Sequence, residues 1–425
     1  MVNRSVRSAR SLTGVNLPAL RSHNAALVLD LLRTAGEVGI SRLELAERTG
    51  LTPQAVSKIT ARLRAEGLVR EAGHRASTGG KPRTVLRLVS SAAYGVGVHL
   101  DRDELTAVLV DLAGVRVALR RAPLDLGAGA DAVFGVVERE VGALRNVPAV
   151  REVRAVREGR TLLETGAPGA SEAGGAGEVS EAGGSHAARE TPEARGAGET
   201  LEIPEAPAPP EPPAPAVLGV GVAMPGPLDH LTGTPGRVTG YPEWEGVPLR
   251  DQLARRLGLP VELDKDTNAA ALGLALRAPV ADSFAYVHLG TGLGSGLVLG
   301  GALHRGERTG AGEFGHQTVQ LDGPPCDCGG RGCLEVLCLA AVARGDLPEA
   351  ARILGTGAAN LVRLLDIDRV VLGGRVVTAA PEVFADGVGA VLAGAGLGTP
   401  VSGTATPHAV AEGAAQLILA PIFGK

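Results

Sequence analysis

The stretch Gly312–Glu335 reads GEFGHQTVQLDGPPCDCGGRGCLE. Within it His316, Cys326, Cys328 and Cys333 follow one another at offsets of ten, two and five residues. One imidazole and three thiols are enough to close a tetrahedral zinc site. Three of the chain's four cysteines lie within eight residues, and the glycines and prolines between them let a short loop fold back on one ion. Clustered Cys and His in a cytosolic chain point to metal rather than to disulfides. Four protein ligands leave no coordination position open for water, so the expected Zn2+ is structural, not catalytic. The residues around this knuckle decide what it holds in place.

A chain of 425 residues is long enough for two or three domains. Hydrophobic residues make up 44% and aromatics only 2%, so the cores must be built from Leu, Val, Ala and Ile. The N-terminus, MVNRSVRSARS, is basic with no apolar segment behind it, and no apolar run is long enough to span a membrane. A soluble, cytoplasmic protein with no membrane partner is expected. The net charge of −4 is unevenly spread. Residues 1–90 hold 15 Lys/Arg against 6 Asp/Glu, and the remainder holds 27 against 40. A basic N-terminal module on an acidic body points to nucleic acid at one end.

That module has a folding pattern. Asn24–Ala35 carries Leu27, Val28, Leu31 and Leu32 at helical spacing. Ser41–Thr49 is a second short helix, with Ser41 as N-cap and Glu44 as its capping-box partner. Gly50 breaks it, and Thr52-Pro53 opens a third helix with a hydroxyl cap and proline at the first helical position. Val56, Ile59 and Leu63 share the inward face of that helix, while Gln54, Ser57, Lys58, Ala61 and Arg62 fall on or beside the other. This is a helix-turn-helix. Leu68–Arg70 and Val85–Leu88 read as the strands of a β-wing whose tip carries Lys81 and Arg83. The candidate contacts to double-stranded operator DNA are Thr52, Gln54, Ser57, Lys58, Arg62, Lys81 and Arg83.

From about Glu158 to Pro215, Gly, Ala, Glu and Pro dominate. Such a segment cannot bury enough apolar surface to order itself and reads as a low-complexity, disordered insertion. The expected organisation is a basic, flexible N-terminus over 1–22, a winged helix-turn-helix over 23–90, and an α/β body over 91–425 interrupted by 158–215. In the body, Tyr94–Leu100, Leu105–Asp111, Val115–Leu119, Val217–Ala223, Pro260–Leu263, Phe284–Leu289 and Arg369–Leu372 read as strands. Ala132–Leu144, Leu249–Leu257, Thr267–Leu276 and Ala350–Leu365 read as helices. A glycine loop, Gly290-Thr291-Gly292-Leu293-Gly294, follows the Phe284 strand.

The landmarks GVGVAMPGPLD (Gly219–Asp229), WEGVPL (Trp244–Leu249), DKDTNAAALG (Asp264–Gly273), GTGLGSGLVLGGALHRG (Gly290–Gly306), GEFGH (Gly312–His316), CDCGGRGCLE (Cys326–Glu335) and VVLGG (Val370–Gly374) stand in an order that resembles the ROK family of sugar kinases and sugar-responsive repressors. The N-terminal module, with its TGGKPRTVL wing, is similar to the repressor branch. The resemblance implies a two-lobed actin-like (ribonuclease H-like) fold around a cleft. It implies sugar contacts by Asp266, Glu313, His316 and Glu335, with Asp266 at the position of the kinases' general base. It also implies that His316 turns one ring nitrogen to zinc and the other towards the sugar.

Several positions depart from the kinase pattern. The kinases carry a DxGGT-type turn in the first strand pair, whereas this chain has His99-Leu100-Asp101-Arg102-Asp103-Glu104. Side chains replace the glycines, and three carboxylates repel phosphate. Gly290, Thr291, Gly292 and Gly294 are then a remnant of half a phosphate site. Lys265 stands where the family has asparagine, Gly240 replaces a sugar-contacting asparagine, and the chain passes quickly from Glu335 through Val336–Arg344 to the helix near Ala350. Cys338 is an extra, buried thiol. The expected function is a homodimeric or homotetrameric transcriptional regulator, a repressor of carbohydrate metabolism. It would bind a sugar or sugar derivative and have no catalytic residues, Asp266 being vestigial. The alternative is an active ATP-dependent sugar kinase with a DNA-binding appendage.

Overall fold

The computed structural model describes residues 17–75, 83–151, 216–238, 240–277, 283–404 and 406–425, with side chains from His23 onward. The chain divides into one unit of Met1–Arg154 with Pro215–Lys425 and another of Ala155–Ala214; every described residue belongs to the first. The expected insertion and the wing tip with Lys81 lie outside the described residues.

The head consists of α1 (Leu17–Ala35), β1 (Ile40–Ser41), α2 (Arg42–Thr49), α3 (Pro53–Ala65), β2 (Val69–Arg75) and β3 (Arg83–Leu88). Helix α1 reaches back to Leu17, beyond the start expected at Asn24. The local signals act as read. Ser41 Oγ accepts from the Glu44 N–H while the Glu44 carboxylate accepts from the Ser41 N–H, so both orphan donors are satisfied. Gly50 ends α2 in the left-handed region at φ 69°. Thr52 caps α3 with Pro53 in its first turn. Val28, Leu32, Leu45, Val56, Leu63 and Leu86 are buried and pack together, each contributing about 1.5–3 kcal/mol of transfer free energy. The sheet order β1-β3-β2 completes a winged helix.

The first lobe holds β4 (Tyr94–Leu100), β5 (Glu104–Asp111), β6 (Arg116–Pro123), α4 (Ala130–Arg145) and β7 (Val217–Met224). It continues with the ribbon β8 (Leu228–Asp229) and β9 (Thr234–Pro235), then α5 (Leu249–Leu257), β10 (Val261–Lys265) and α6 (Asp266–Arg277). The second lobe holds β11 (Phe284–Leu289), β12 (Leu293–Leu299), β13 (Ala302–His304), α7 (Leu334–Ala343) and α8 (Leu347–Leu365). It ends with β14 (Arg369–Gly373), α9 (Arg375–Ala379), α10 (Pro381–Gly394), β15 (Val401–Gly403) and α11 (Ala409–Leu419). The segment after Glu335 is therefore a helix and not a quick passage.

The two sheets repeat one topology. Their orders are β10-β7-β4-β5-β6 and β13-β12-β11-β14-β15. In each, the first three strands of the lobe form an antiparallel meander and the last two add in parallel beside the first. This duplication is the two-lobed actin-like architecture. Each lobe has its own aliphatic core, and the lone tryptophan, Trp244, is fully buried in the first, donating from Nε1 to Leu126 O at 2.9 Å.

Helices α6 and α11 lie against each other between the sheets. A Cβ on Gly221 of β7 would overlap the Ala414 carbonyl of α11, and one on Gly413 of α11 would overlap the Ala269 carbonyl of α6. Glycine at these positions lets backbone touch backbone, which is why so alanine-rich a helix as α11 can sit at the centre of the molecule. Among the described residues no helix is long and apolar enough to cross a membrane.

Candidate functional site

His316 ends a 3-10 turn, Phe314–His316, and Cys333 sits at the N-cap of α7. Between them the chain loops out and returns through isolated bridges Thr318–Cys333 and Pro325–Arg331. Gly332 has φ 59°, and a Cβ there would overlap the Gln320 carbonyl, so the return requires glycine. The loop brings all four expected ligands together. The ligand atoms of His316, Cys326, Cys328 and Cys333 lie within 4.8 Å of one another. Cys326 Sγ is 3.7 Å from His316 Nδ1, and Cys328 Sγ is 3.7 Å from Cys333 Sγ. A tetrahedron with Zn–S bonds of about 2.3 Å has edges of roughly 3.8 Å, so the spacing suits such an ion.

Burial raises the Cys326 thiol above its ordinary range, and burial together with the adjacent sulfurs pushes Cys333 up to about 12. Only Cys328 is lowered, by the Gly330 N–H that donates to its sulfur. A divalent cation supplies the charge that three clustered thiolates need.

Both ends of the knuckle border a polar cavity of about 90 Å³ at the base of the cleft. Asp266, Glu313, His316 and Glu335 all line it, together with Lys265 and Arg102. Asp266 is the first residue of α6, and its Oδ1 accepts from the Thr267 N–H at 2.6 Å. Glu335 Oε2 accepts from the Leu293 N–H at 2.8 Å, which ties the segment carrying the His/Cys cluster to the glycine loop.

Glu313, another of the expected sugar contacts, also carries a contact within the protein. It is paired with Lys265, whose Nζ lies 2.9 Å from Glu313 Oε1 and 2.5 Å from Ala311 O. The lysine is 3% exposed and the carboxylate 46%, so Lys265 works as a brace from below. Its neighbour Asp264 is fully buried and accepts from Asn268 Nδ2 at 2.8 Å and Arg305 Nε at 2.6 Å. Sequence reasoning assigned no role to Arg305; nothing in its local spacing connects it to a strand 41 positions earlier.

The altered first turn also has a definite structure. Asp101 Oδ1 accepts from Thr291 Oγ1 at 3.0 Å, and Arg375 Nη1 lies 3.0 Å from Asp103 Oδ2. Two carboxylates of the first lobe thus reach the second lobe. Burial pushes the Asp101 carboxyl up, but His99, the Arg102 N–H, Thr291 and Arg375 outweigh it and hold it below the usual carboxylate range. Arg102 projects towards Gly292, and its Nε is buried without a hydrogen-bond partner among the described residues. Beyond this pair of loops lies a second cavity of about 420 Å³, lined in part by His99, Tyr286, His288, Arg375 and His408. Tyr286 Oη and His288 Nδ1 are 2.9 Å apart, and burial lowers the His99 imidazole below its ordinary value.

On the head, Thr52, Gln54, Ser57, Lys58 and Arg62 are all exposed on one side of α3, while Val56 and Leu63 are buried on the other. Arg83, at the start of β3, is exposed too.

Residues 209–344 match the model of the ROK family, and residues 21–77 match that of the MarR family. The xylose repressor of Bacillus subtilis is 24% identical over 305 residues, covering 70% of this chain and 61% of its own length. The chain thus spans about three fifths of that relative. The glucokinase of Thermotoga maritima is 40% identical over 134 residues, covering 31% of this chain and 42% of the enzyme. The crystal structure of a ROK family transcriptional regulator, a homologue of the E. coli Mlc protein, shares the fold at TM-score 0.63 and 19% identity, covering 95% of this chain and 97% of that one.

Proposed function

We propose that this chain, whose residues 209–344 match the ROK family model and whose residues 21–77 match the MarR family model, is a sugar-responsive DNA-binding repressor of carbohydrate metabolism. The observation that supports the reading is the presence in one chain of an exposed polar face on α3 and of a pocket bordered by the His316, Cys326, Cys328 and Cys333 cluster. Gln54, Ser57 and Arg62 would reach base edges, and Thr52, Lys58 and Arg83 would hold phosphates, with Lys81, which lies outside the described residues, assigned to phosphate contact from the sequence alone. Reading two half-sites calls for two copies, so a homodimer or homotetramer is the working form.

In the cleft, Asp266, His316 and Glu335 accept or donate hydrogen bonds to the hydroxyls of a sugar or sugar derivative. Glu313 joins them while braced by Lys265. His316 Nδ1 belongs to the metal cluster, which leaves Nε2 for the ligand. Zn2+ would be held by His316, Cys326, Cys328 and Cys333 and would stiffen the segment carrying these groups. Phosphoryl transfer is not part of the function. Asp101 takes the Thr291 hydroxyl, and the charge of Asp101 and Asp103 opposes a nucleotide phosphate at Gly290–Gly294. Genome-wide mapping of DNA bound by the full chain tests the reading: enriched sites should lie beside genes for sugar transport or catabolism. Absence of enriched sites, or sugar-dependent ADP release abolished by Asp266→Asn, would overturn it in favour of a kinase.

A further inference from the structure

Helix α6 begins in the pocket at Asp266 and, over about 18 Å at 1.5 Å per residue, ends at the head. It has little freedom to bend on the way. A Cβ on Gly273 would lie 2.7 Å from the Gly413 Cα, and one on Gly296 of β12 would overlap the Thr267 carbonyl, so the helix is in backbone contact on two sides. A push at one end is therefore delivered at the other as a displacement of the whole rod.

Arg33 of α1 receives that end. Its Nη1 donates to Leu276 O, one of the last carbonyls of α6, at 2.7 Å across 243 positions of sequence. Helix C-termini carry unsatisfied carbonyls and partial negative charge, and a cation there is favourable. The guanidinium is aimed before it gets there. Nε and Nη2 are held by Asp30 Oδ1 at 3.2 and 2.6 Å, and its plane lies over Phe423 at 5.2 Å. The side chain is only 12% exposed. Lys425 Nζ, 3.3 Å from Asp30, fixes the same carboxylate from the other side. Because one face of the fork is committed to Asp30, Arg33 follows α1 and not solvent.

Resting on the sensing role of the pocket, we propose that Arg33 is the positioning residue through which the pocket helix holds the DNA-binding head. A shift of α6 induced at Asp266 changes the Leu276 carbonyl that Arg33 grips, and α1 follows. The shared apolar packing of the head with Val108, Val110, Ala415 and Leu419 keeps the head attached, while the Arg33 bond sets its orientation.

Hydrogen–deuterium exchange on the full chain tests this. Without added sugar, Arg33→Gln should speed exchange of head peptides from α1 to α3 by about tenfold, the loss of one charged, largely buried hydrogen bond. Peptides of β10 and β11 should be unchanged. Arg33→Lys, which keeps a cation at the carbonyl, should restore part of the protection, and serves as the measured variant if the glutamine chain misfolds.

D-xylose and D-glucose are then added, and thermal shift identifies which one binds. The bound sugar should alter head exchange in the wild type. In Arg33→Gln it should bind with an unchanged thermal shift and no longer alter the head. Unchanged head exchange in unliganded Arg33→Gln, or a sugar effect on the head that survives the substitution, overturns the proposal. Failure of both sugars to bind the wild type counts against sensing of these sugars instead, and the unliganded comparison still decides the role of Arg33.

Discussion

Cys328→Ser separates what the zinc knuckle does from what the two cores do. Cys328 is the exposed member of the cluster, and its sulfur lies 3.4 Å from the Gly330 N and 3.7 Å from Cys333 Sγ, beside Cys326, so serine fits without disturbing packing. Six backbone hydrogen bonds join the segment Val319–Gly332 to itself. At about 1 kcal/mol net each they fall well short of the roughly 1–2 kcal/mol per residue that ordering such a segment costs. Structural zinc contributes about 10 kcal/mol or more, which makes up the difference. On the proposed function, a zinc ion held by the cluster would decide whether the loop is ordered, while the lobes keep their own cores. The variant should lose its stoichiometric zinc by elemental analysis and keep its far-ultraviolet circular dichroism. Amides of Val319–Gly332 should exchange freely, and any thermal shift by sugar should disappear with the metal. A zinc-free variant with a protected loop, or with a full sugar response, would refute the reasoning.

The pocket floor, the cleft and the head each yield a prediction. Arg305→Ala leaves the fully buried Asp264 with neutral donors only, and should cost about 3–5 kcal/mol, read as a lower urea midpoint. His99 is partly buried, and desolvation holds its pKa below the ordinary value of about 6.5, so the unfolded chain takes up a proton that the folded chain resists. Its contribution is fully present above about pH 6.5 and is lost as pH falls from there through the lowered pKa; His99→Gln should flatten that part of the stability–pH curve relative to wild type. Lys58→Ala should weaken DNA binding nearly equally across sequences and reduce the salt dependence by about one counterion, measured by fluorescence anisotropy against salt.

Signals that act within a few residues were legible in the chain. The capping box at Ser41 and Glu44, the Thr52-Pro53 helix start, and the strand Tyr94–Leu100 are formed as read. The metal cluster was legible because its ligands are nearly contiguous and one loop contains the whole chemistry. Contacts between distant segments were not. The Lys265–Glu313 pair, the Asp101–Thr291 bond and the Arg33 grip on Leu276 join segments with no shared local pattern. Helix α11 carries Gly413 in mid-helix, where glycine ordinarily argues against a helix; the contact with α6 that demands it exists only in three dimensions. Helix α7 was passed over as a connection, although Cys333 caps it and Leu334, Cys338 and Ala341 bury one face.

The proposed function requires one linkage, that a sugar in the cleft changes DNA binding by the head. Fluorescence anisotropy of a DNA fragment enriched by genome-wide mapping, titrated with the full chain in the presence and absence of the sugar found by thermal shift, measures it directly. A sugar-induced loss of affinity of about tenfold or more, abolished in Cys328→Ser, is the predicted result. Equal affinity with and without a sugar that demonstrably binds would contradict it.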